Sequence, residues 1–208
     1  MPSRGRAAGP RVRLAALAAT ALTATTGVDL LAPAGPPRAP APSRAPAPAP
    51  EPAPAPPALA PSRPTTITIP SIGVRSSLLP LGLAPGGALD VPRAPHEDLA
   101  GWYTGSVTPG ERGTAVILGH RDSRASGPSV FHRLGTLDPG DAVRVRRADG
   151  TTAVFTVDTV RRHAKSDFPA KAVYGHTPHP SLRLITCGGA LHDGRYLDNI
   201  VVYARLSA

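Results

Sequence analysis

The segment that tells most about this chain is Leu182-Arg-Leu-Ile-Thr-Cys187-Gly-Gly189. Its short apolar run followed by glycines favours a buried β-strand. Cys187, the only cysteine in the chain, comes directly after that run and so is placed at the end of a strand. The two glycines would let the chain turn sharply and let another backbone approach the sulfur. A lone cysteine is often only a small buried hydrophobe, so other residues must decide whether this one reacts.

A reactive cysteine must be a thiolate, which calls for an imidazole or another cation within reach. The best-placed histidine is His120, because Thr114-Ala-Val-Ile-Leu-Gly-His120 is typical of a buried strand that ends in glycine. Two such strands could bring their ends to one cleft. The other histidines lie in polar or Pro/Gly-containing stretches, which favour solvated surface positions. They are His96, His132, His163, His176, His179 and His192.

Short β-type runs dominate the chain from Thr65 onward, which predicts a mainly β domain. The runs are Thr65–Ile69, Thr114–Leu118, Ala142–Arg146, Ala153–Val160, Leu182–Thr186 and Ile200–Ala204. The segment Asp141–Val157 predicts a hairpin with Asp149-Gly150 at its turn. Helix signals are short, at Phe131–Leu137 and Lys171–Tyr174. A closed or nearly closed barrel would remove the exposed edges that so many short strands create.

The N-terminal part of the chain has a different composition. Residues 32–64 contain 14 prolines in 33 residues, mostly in Ala-Pro repeats, which favour extended polyproline II and cannot form a core. Every aromatic residue lies between Trp102 and Tyr203. We therefore predict a linker over 32–64 and one folded domain over 65–208, long enough to bury a core without disulfides.

Residues 1–31 have the features of an export segment, with four arginines ahead of an apolar run. The stretch Leu14–Leu31 is 18 residues long, near the lower limit for crossing a bilayer, and contains Asp29. We expect a single-pass membrane anchor with the folded domain outside the cell. A cleaved signal and a secreted form is the alternative, with Ala32-Pro33-Ala34 as an imperfect cleavage site.

The net charge of +9 is spread over both parts of the chain, +4 in residues 1–61 and +5 in residues 62–208. The arginines near the predicted hairpin are not interleaved with aromatics for stacking on bases, so nucleic-acid binding is not expected. They are Arg144, Arg146, Arg147, Arg161 and Arg162. One cysteine and scattered histidines lack metal-ligand spacing, and we predict no metal or cofactor.

The cysteine and histidine segments together resemble a known family. Leu184-Ile-Thr-Cys187, a short loop, Arg195 and the strand Asn199-Ile-Val-Val-Tyr203 look like the C-terminal signature of sortases. Upstream, Ile117-Leu-Gly-His-Arg-Asp122 resembles the histidine strand of that family. The segments between them follow the order of the actinobacterial class F, with class E close behind. The resemblance runs from about Thr65 to Leu206, and three motifs in order are specific.

The resemblance implies an eight-stranded β-barrel and a cysteine transpeptidase that cuts a sorting signal of Leu-Pro-x-Thr-Gly type between Thr and Gly. Cys187 would form the thioacyl intermediate, and His120 would act as acid and base. Arg195 would hold the substrate or stabilise the oxyanion, and Thr186 would help to position substrate. The implied partners are sorting-signal proteins and an amine acceptor such as a peptidoglycan precursor.

This sequence departs from the family pattern at two positions. Arg183 stands where threonine is common, and we expect it to face away from the site. Arg195 follows Cys187 by only eight residues, which leaves Arg121 and Arg205 as alternatives for the catalytic arginine.

Two competing functions remain at this stage. An L,D-transpeptidase would also pair His with Cys, but it places a Ser-x-Gly-Cys stretch close after its histidine, whereas His120 and Cys187 are 67 residues apart. A non-catalytic display or wall-binding module on a proline stalk would have a buried, inert thiol.

Overall fold

The computed structural model describes residues 56–123 and 127–207. The predicted anchor over 1–31 and the linker up to residue 55 lie outside these ranges. Within them, no helix is both long and apolar enough to cross a membrane.

Ten β-strands and one short α-helix make up the described residues. The strands are β1 Pro64–Ile69, β2 Val74–Leu81, β3 Ala100–Tyr103, β4 Gly113–Gly119, β5 Asp122–Ser123, β6 Gly127–Pro128, β7 Ala142–Arg147, β8 Thr152–Ala164, β9 Pro180–His192 and β10 Arg195–Leu206, and the helix α1 is Ala170–Tyr174. Eight strands form a closed barrel in the order β1-β2-β3-β4-β9-β10-β8-β7, while β5 and β6 pair separately. The expected eight-stranded barrel is confirmed.

Alternating side chains of the central strands fill two apolar layers. In β4, Ala115 and Ile117 belong to the barrel interior, whereas Val116 and Leu118 belong to a second cluster on the outer face. Helix α1 contributes Val173 to that outer cluster. Because β4 is buried on both faces, it has the continuous apolar sequence typical of a central, parallel-paired strand. This packing fixes both ends of β4.

All six runs predicted as strands are strands in the structure, but β8, β9 and β10 extend beyond them. The predicted hairpin is confirmed, since β7 and β8 pair antiparallel around the turn that contains Gly150 at φ 84°. Helix α1 matches the expected helix at Lys171–Tyr174, and the other expected helix is reduced to a 3₁₀ turn at Leu134–Thr136. Strands β2 and β3 were not predicted.

Residues just before β1 are also attached to the barrel. Leu59 packs against the core, and its amide donates a hydrogen bond to the Gly110 carbonyl at 2.8 Å. The buried Arg147 guanidinium donates to the Ala60 carbonyl. These contacts lie at the end of the barrel where β4 starts, opposite the end where His120 follows β4. The described chain therefore enters the barrel at the end far from His120.

Candidate active site

The parallel pairing of β4 with β9 brings His120 next to Cys187. The register runs from Gly113 opposite Pro180 to Leu118 opposite Ile185. Two residues further along both strands, the same register sets His120 beside Cys187. Both side chains continue the outer-face alternation of Leu118 and Ile185. A constant offset of 67 residues thus converts two distant motifs into neighbours.

A surface cleft of about 320 Å³ contains both side chains. Its lining residues are His120, Arg121, Asp122, Lys165, Cys187, Gly194, Arg195 and Tyr196. The Cys187 thiol is free and half-buried, so reagents and substrates can reach it. The expectation that Cys187 sits at a strand end is wrong, because β9 continues to His192. It is β4 that ends here, which opens the cleft beside the sulfur.

The two glycines after Cys187 have a different purpose from the one expected. They do not turn the chain, since β9 continues through both of them as an irregular pair with β10. Gly189 has a φ of 76°, and a Cβ atom there would overlap the Asp198 carboxylate. A Cβ atom on Gly188 would lie 2.6 Å from a side-chain carbon of Ile200. The glycines therefore allow β10 to approach closely behind the reactive residue.

His120 is oriented by the chain segment between β2 and β3. Its Nε2 lies 2.7 Å from the carbonyl oxygen of Pro92. A carbonyl oxygen only accepts hydrogen bonds, so Nε2 carries a proton and donates it to Pro92. Nδ1 is then the ring nitrogen left to exchange a proton. Pro92 thereby sets which ring nitrogen of neutral His120 carries the proton.

The three candidate arginines are in different surroundings. Arg195 is the exposed first residue of β10 and lines the cleft. Within residues 56–123 and 127–207, no carboxylate lies within ion-pair distance of its guanidinium. Arg121 also lines the cleft, but it stacks on the Tyr196 ring at 4.7 Å from the centroid. Arg205 pairs with Ser181 in register, near the start of β9, and forms an ion pair with Asp158. Arg205 is therefore far from the sulfur.

The sequence and the fold were compared with known proteins. A family model described as the sortase domain matches residues 67–207. The chain belongs to the sortase family. Sortases are cysteine transpeptidases, which agrees with a Cys–His pair in an open cleft. The class F or class E resemblance stays a prediction.

Solved sortases share the fold at low sequence identity. Sortase A from Corynebacterium diphtheriae, a lid mutant, is 19% identical over 69% of each chain, with a TM-score of 0.52. Sortase C1 from Streptococcus agalactiae is 20% identical over 69% of this chain and 67% of that one, with a TM-score of 0.53. A sortase D5 transpeptidase from Clostridium perfringens is 18% identical over 69% and 78%, with a TM-score of 0.50. A comparison with curated proteins gave no match.

Membership of the sortase family decides between the competing functions. The family match excludes the L,D-transpeptidase assignment. The display module requires a buried thiol, whereas Cys187 lines the cleft of this sortase. The transpeptidase interpretation is the one that agrees with both observations.

Two cleft residues of this sortase, Lys165 and Tyr196, had no signal in the sequence, and Asp122 was named only as the end of the histidine motif. The Tyr196 hydroxyl donates a hydrogen bond of 2.5 Å to the Asp122 carboxylate. That bond is the main reason why the pKa of Tyr196 lies above its usual value, since ionisation would remove the donor and set two anions side by side. Arg121 contacts both partners, with its Nε 3.9 Å from Asp122. The side chains of Arg121, Asp122 and Tyr196 form one wall of the cleft.

Lys165 approaches the sulfur itself. Its Nζ lies 3.5 Å from Cys187 Sγ, within hydrogen-bonding distance for sulfur. Lys165 stands in the short 3₁₀ turn Lys165–Asp167 that follows β8. The sequence Arg161-Arg-His-Ala-Lys165 is polar and basic, which is typical of solvated surface, so only the fold could single out this lysine.

The side chain of Thr186 points to the opposite side of β9 from Cys187. Thr186 is buried, and it shares the interior side of β9 with Leu182 and Leu184 rather than the side of Cys187. Its Oγ1 has no hydrogen-bond partner among the described residues. The role expected of Thr186 in positioning substrate stays a prediction.

Arg183, which was expected to face away from the site, does not line the cleft, although it lies on the same face of β9 as the thiol. It alternates with Ile185 and Cys187 on the outer face of β9. Its guanidinium packs over the Tyr203 ring, 4.5 Å from the centroid. Burial lowers the pKa of Arg183 from its usual value. Arg183 thus packs on the outer face of β9, four residues before Cys187.

Proposed function

We propose that this sortase cleaves a Leu-Pro-x-Thr-Gly-type sorting signal between Thr and Gly and transfers the new acyl end to an amine. The observation that carries the proposal is the β4–β9 register, whose continuation sets His120 beside Cys187 in an open cleft that also contains Arg195. Nucleophile, proton carrier and fixed cation are the three groups that acyl transfer through a thioester needs.

In the first half-reaction the Cys187 thiolate attacks the carbonyl carbon of the threonine residue. The carbon–nitrogen bond to glycine breaks, and a thioester to the sulfur takes its place. The proton lost by the Cys187 thiol has passed to Nδ1 of His120, the nitrogen not engaged by Pro92. Nδ1 gives that proton to the departing amine. The oxyanion that forms on the way is negatively charged. The guanidinium of Arg195, which has no ion-pair partner among the described residues, is suited to stabilise it.

In the second half-reaction an acceptor amine attacks the thioester. His120 takes the amine proton, a new amide bond forms, and the sulfur leaves as thiolate. Water competes as an acceptor and releases a free acid. A peptidoglycan precursor or an amine of another protein is the acceptor that the family resemblance implies.

The membrane attachment of this sortase is part of the same proposal. The apolar stretch Leu14–Leu31 anchors the chain, and the proline-rich part of the 32–64 linker that precedes Leu59 carries the barrel away from the lipid surface. Fractionation of cells should find the protein in membranes with its first residues retained. A mature N-terminus near Gly35 would instead indicate a secreted enzyme.

The reaction is tested by mass spectrometry of the full-length protein in detergent micelles. It is mixed with a library of Leu-Pro-x-Thr-Gly peptides and a glycine amine. We expect a covalent adduct on Cys187 with the mass of the acyl fragment, and its release by the amine as a transpeptidation product. Arg195→Ala should accumulate little adduct, whereas Arg205→Ala should acylate normally. The absence of adduct with every peptide would refute the proposed specificity.

A further inference from the structure

We propose that Lys165 is a further catalytic residue of this sortase, whose ammonium group donates a hydrogen bond to the sulfur of Cys187 and favours its thiolate form. The proposal rests on the proposed function for its use in acyl transfer. Its physical basis is the 3.5 Å separation between Lys165 Nζ and Cys187 Sγ. Both groups line the same cleft as His120 and Arg195.

The extension of β8 beyond its predicted end places this lysine. Ala164, the last residue of β8, pairs with Asp198 of β10, and Asp198 pairs in turn with Gly188 of β9. The chain then bends into the 3₁₀ turn that begins with Lys165. Three hydrogen-bonded strands therefore fix the distance between the start of this turn and the cysteine, so the lysine does not depend on a long free loop.

The charge of Lys165 is available to the sulfur. Among the described residues, no carboxylate lies within ion-pair distance of its ammonium group. The titratable and charged groups that line the cleft around Cys187 are Lys165 after β8, His120 and Arg121 after β4, Asp122 in β5, and Arg195 and Tyr196 in β10. The one carboxylate in this group, Asp122, accepts the hydrogen bond of Tyr196 and faces Arg121. Positive charge therefore predominates among the groups that line the cleft.

A cation at this position acts in both half-reactions. A nearby ammonium favours the thiolate over the thiol, and the thiolate is the form that attacks the substrate. When the acceptor amine breaks the thioester, negative charge returns to the sulfur, and the same ammonium stabilises it. His120 is then free to move protons to and from amines. Because Lys165 is exposed, solvent and salt screen its charge, so the effect is limited to about two- to fivefold.

The test measures the reaction of Cys187 with iodoacetamide, an uncharged reagent that the lysine does not attract. The full-length protein is compared with Lys165→Met, which keeps the length of the side chain and removes its charge. At neutral pH and low salt, Lys165→Met should alkylate about two- to fivefold more slowly, and its rate–pH profile should shift to higher pH. Salt at about 0.5 M should narrow the gap between the two proteins.

Two control variants separate charge from structure. Lys165→Arg should retain most of the rate, because it restores a cation at the same place. Lys171→Met removes a lysine from α1, outside the cleft, and should alkylate like the wild type. Equal alkylation rates and equal rate–pH profiles for Lys165→Met and the wild type would overturn the proposal. A slower alkylation of Lys165→Met that added salt leaves unchanged would also overturn it.

Alkylation and peptide cleavage distinguish this proposal from the proposed function. Slower alkylation of Lys165→Met in a protein that cleaves no sorting peptide would retain the Lys165–Cys187 pair and refute the peptide specificity. Normal alkylation and normal cleavage by Lys165→Met would refute the role of Lys165 and retain the transpeptidase.

Discussion

In the proposed mechanism, Cys187 and His120 act as one unit. The sulfur needs a partner that moves protons, and the imidazole has one ring nitrogen already engaged by Pro92. Each side chain is half-buried at the cleft, so neither contributes much to the core. Their chemistry and the stability of the barrel should therefore respond separately to mutation.

The first prediction concerns this pair. Cys187→Ala should abolish peptide cleavage, and His120→Ala should reduce it by about 10²–10⁴-fold, the usual contribution of a general acid and base. The double variant should be no worse than Cys187→Ala, because the two groups act as one unit. Thermal melts of both single variants should stay close to the wild type. Cleavage is measured by chromatography of the peptide products.

Two other histidines serve as controls for the first prediction. His132 is exposed, with Nδ1 3.3 Å from the Arg121 carbonyl oxygen, and His176 lies beside Gly113 at the start of β4. Alanine at either position should leave cleavage nearly normal. Full activity in His120→Ala would remove the imidazole from the mechanism.

Strand β9 is the element that organises the site. It pairs in parallel with β4 on one side and antiparallel with β10 on the other. The reactive thiol lies just where the β4 partner has ended and the β10 partner continues. Gly189 lets β10 stay close at this point. Its φ is positive, which side chains rarely adopt, and an added Cβ atom would overlap the Asp198 carboxylate.

The second prediction tests this close approach. Gly189→Ala should destabilise the protein by more than the roughly 1–2 kcal/mol that a left-handed backbone costs alanine, because the methyl group also displaces Asp198. The matched control is Gly140→Ala, which has a φ of 99° but no atom within 4 Å of the added Cβ. Chemical denaturation measures the free energy of unfolding of both variants. Equal losses in the two variants would show that the Asp198 contact is unimportant.

The third prediction concerns the turn between β7 and β8. Thr151 donates hydrogen bonds to Asp149 Oδ1 from its hydroxyl at 2.6 Å and from its amide at 2.9 Å. These bonds lower the pKa of Asp149. A lowered folded-state pKa stabilises the fold above about pH 4 and loses that contribution as the pH falls through the folded value.

The variant that tests this turn is Asp149→Asn. Its melting temperature should lie below that of the wild type at neutral pH, and the gap should close as the pH falls below about 4. Thermal melts followed by circular dichroism across that range measure the gap. A difference that stays constant down to low pH would mean that the charge of Asp149 plays no part in the turn.

Sequence patterns predicted strands where the alternation or the apolar run was strong. The β7–β8 hairpin was predicted because Val143 and Val145 alternate with arginines around a strong turn signal. Strand β2 was missed because its sequence contains Pro80, and β3 because Ala100-Gly-Trp-Tyr103 is short and includes a glycine. Both become strands because the barrel supplies partners for their backbone groups.

Closure of the barrel separates a functional end from an attachment end. The cleft lies where β4 ends, whereas the β7–β8 turn and the residues before β1 lie where β4 begins. Changes at the attachment end should therefore affect stability without affecting the chemistry.

The fourth prediction tests that separation. Leu59→Ala should destabilise the protein by about 1–2 kcal/mol, below the range for a fully buried leucine because Leu59 is only half-buried. The rate of peptide cleavage by the folded variant should match the wild type. Leu83→Ala, at a leucine that is 56% exposed, is the control and should change stability little. A large loss of cleavage in folded Leu59→Ala would show that the two ends are coupled.

The sequence by itself determined the mainly β domain, the candidate cysteine and histidine, and the resemblance to sortases, because each is written in contiguous residues with strong local preferences. Only the tertiary structure decided that the 67-residue offset brings His120 beside Cys187, that Pro92 orients the imidazole and that Lys165 reaches the sulfur. It also decided that Arg205 lies far from the cleft and that Arg183 shares the outer face of β9 with Cys187. The physical reason is that strand register and the path of long connections are set by packing across the whole barrel, and residues distant in the chain carry no local signal of the partner they will meet.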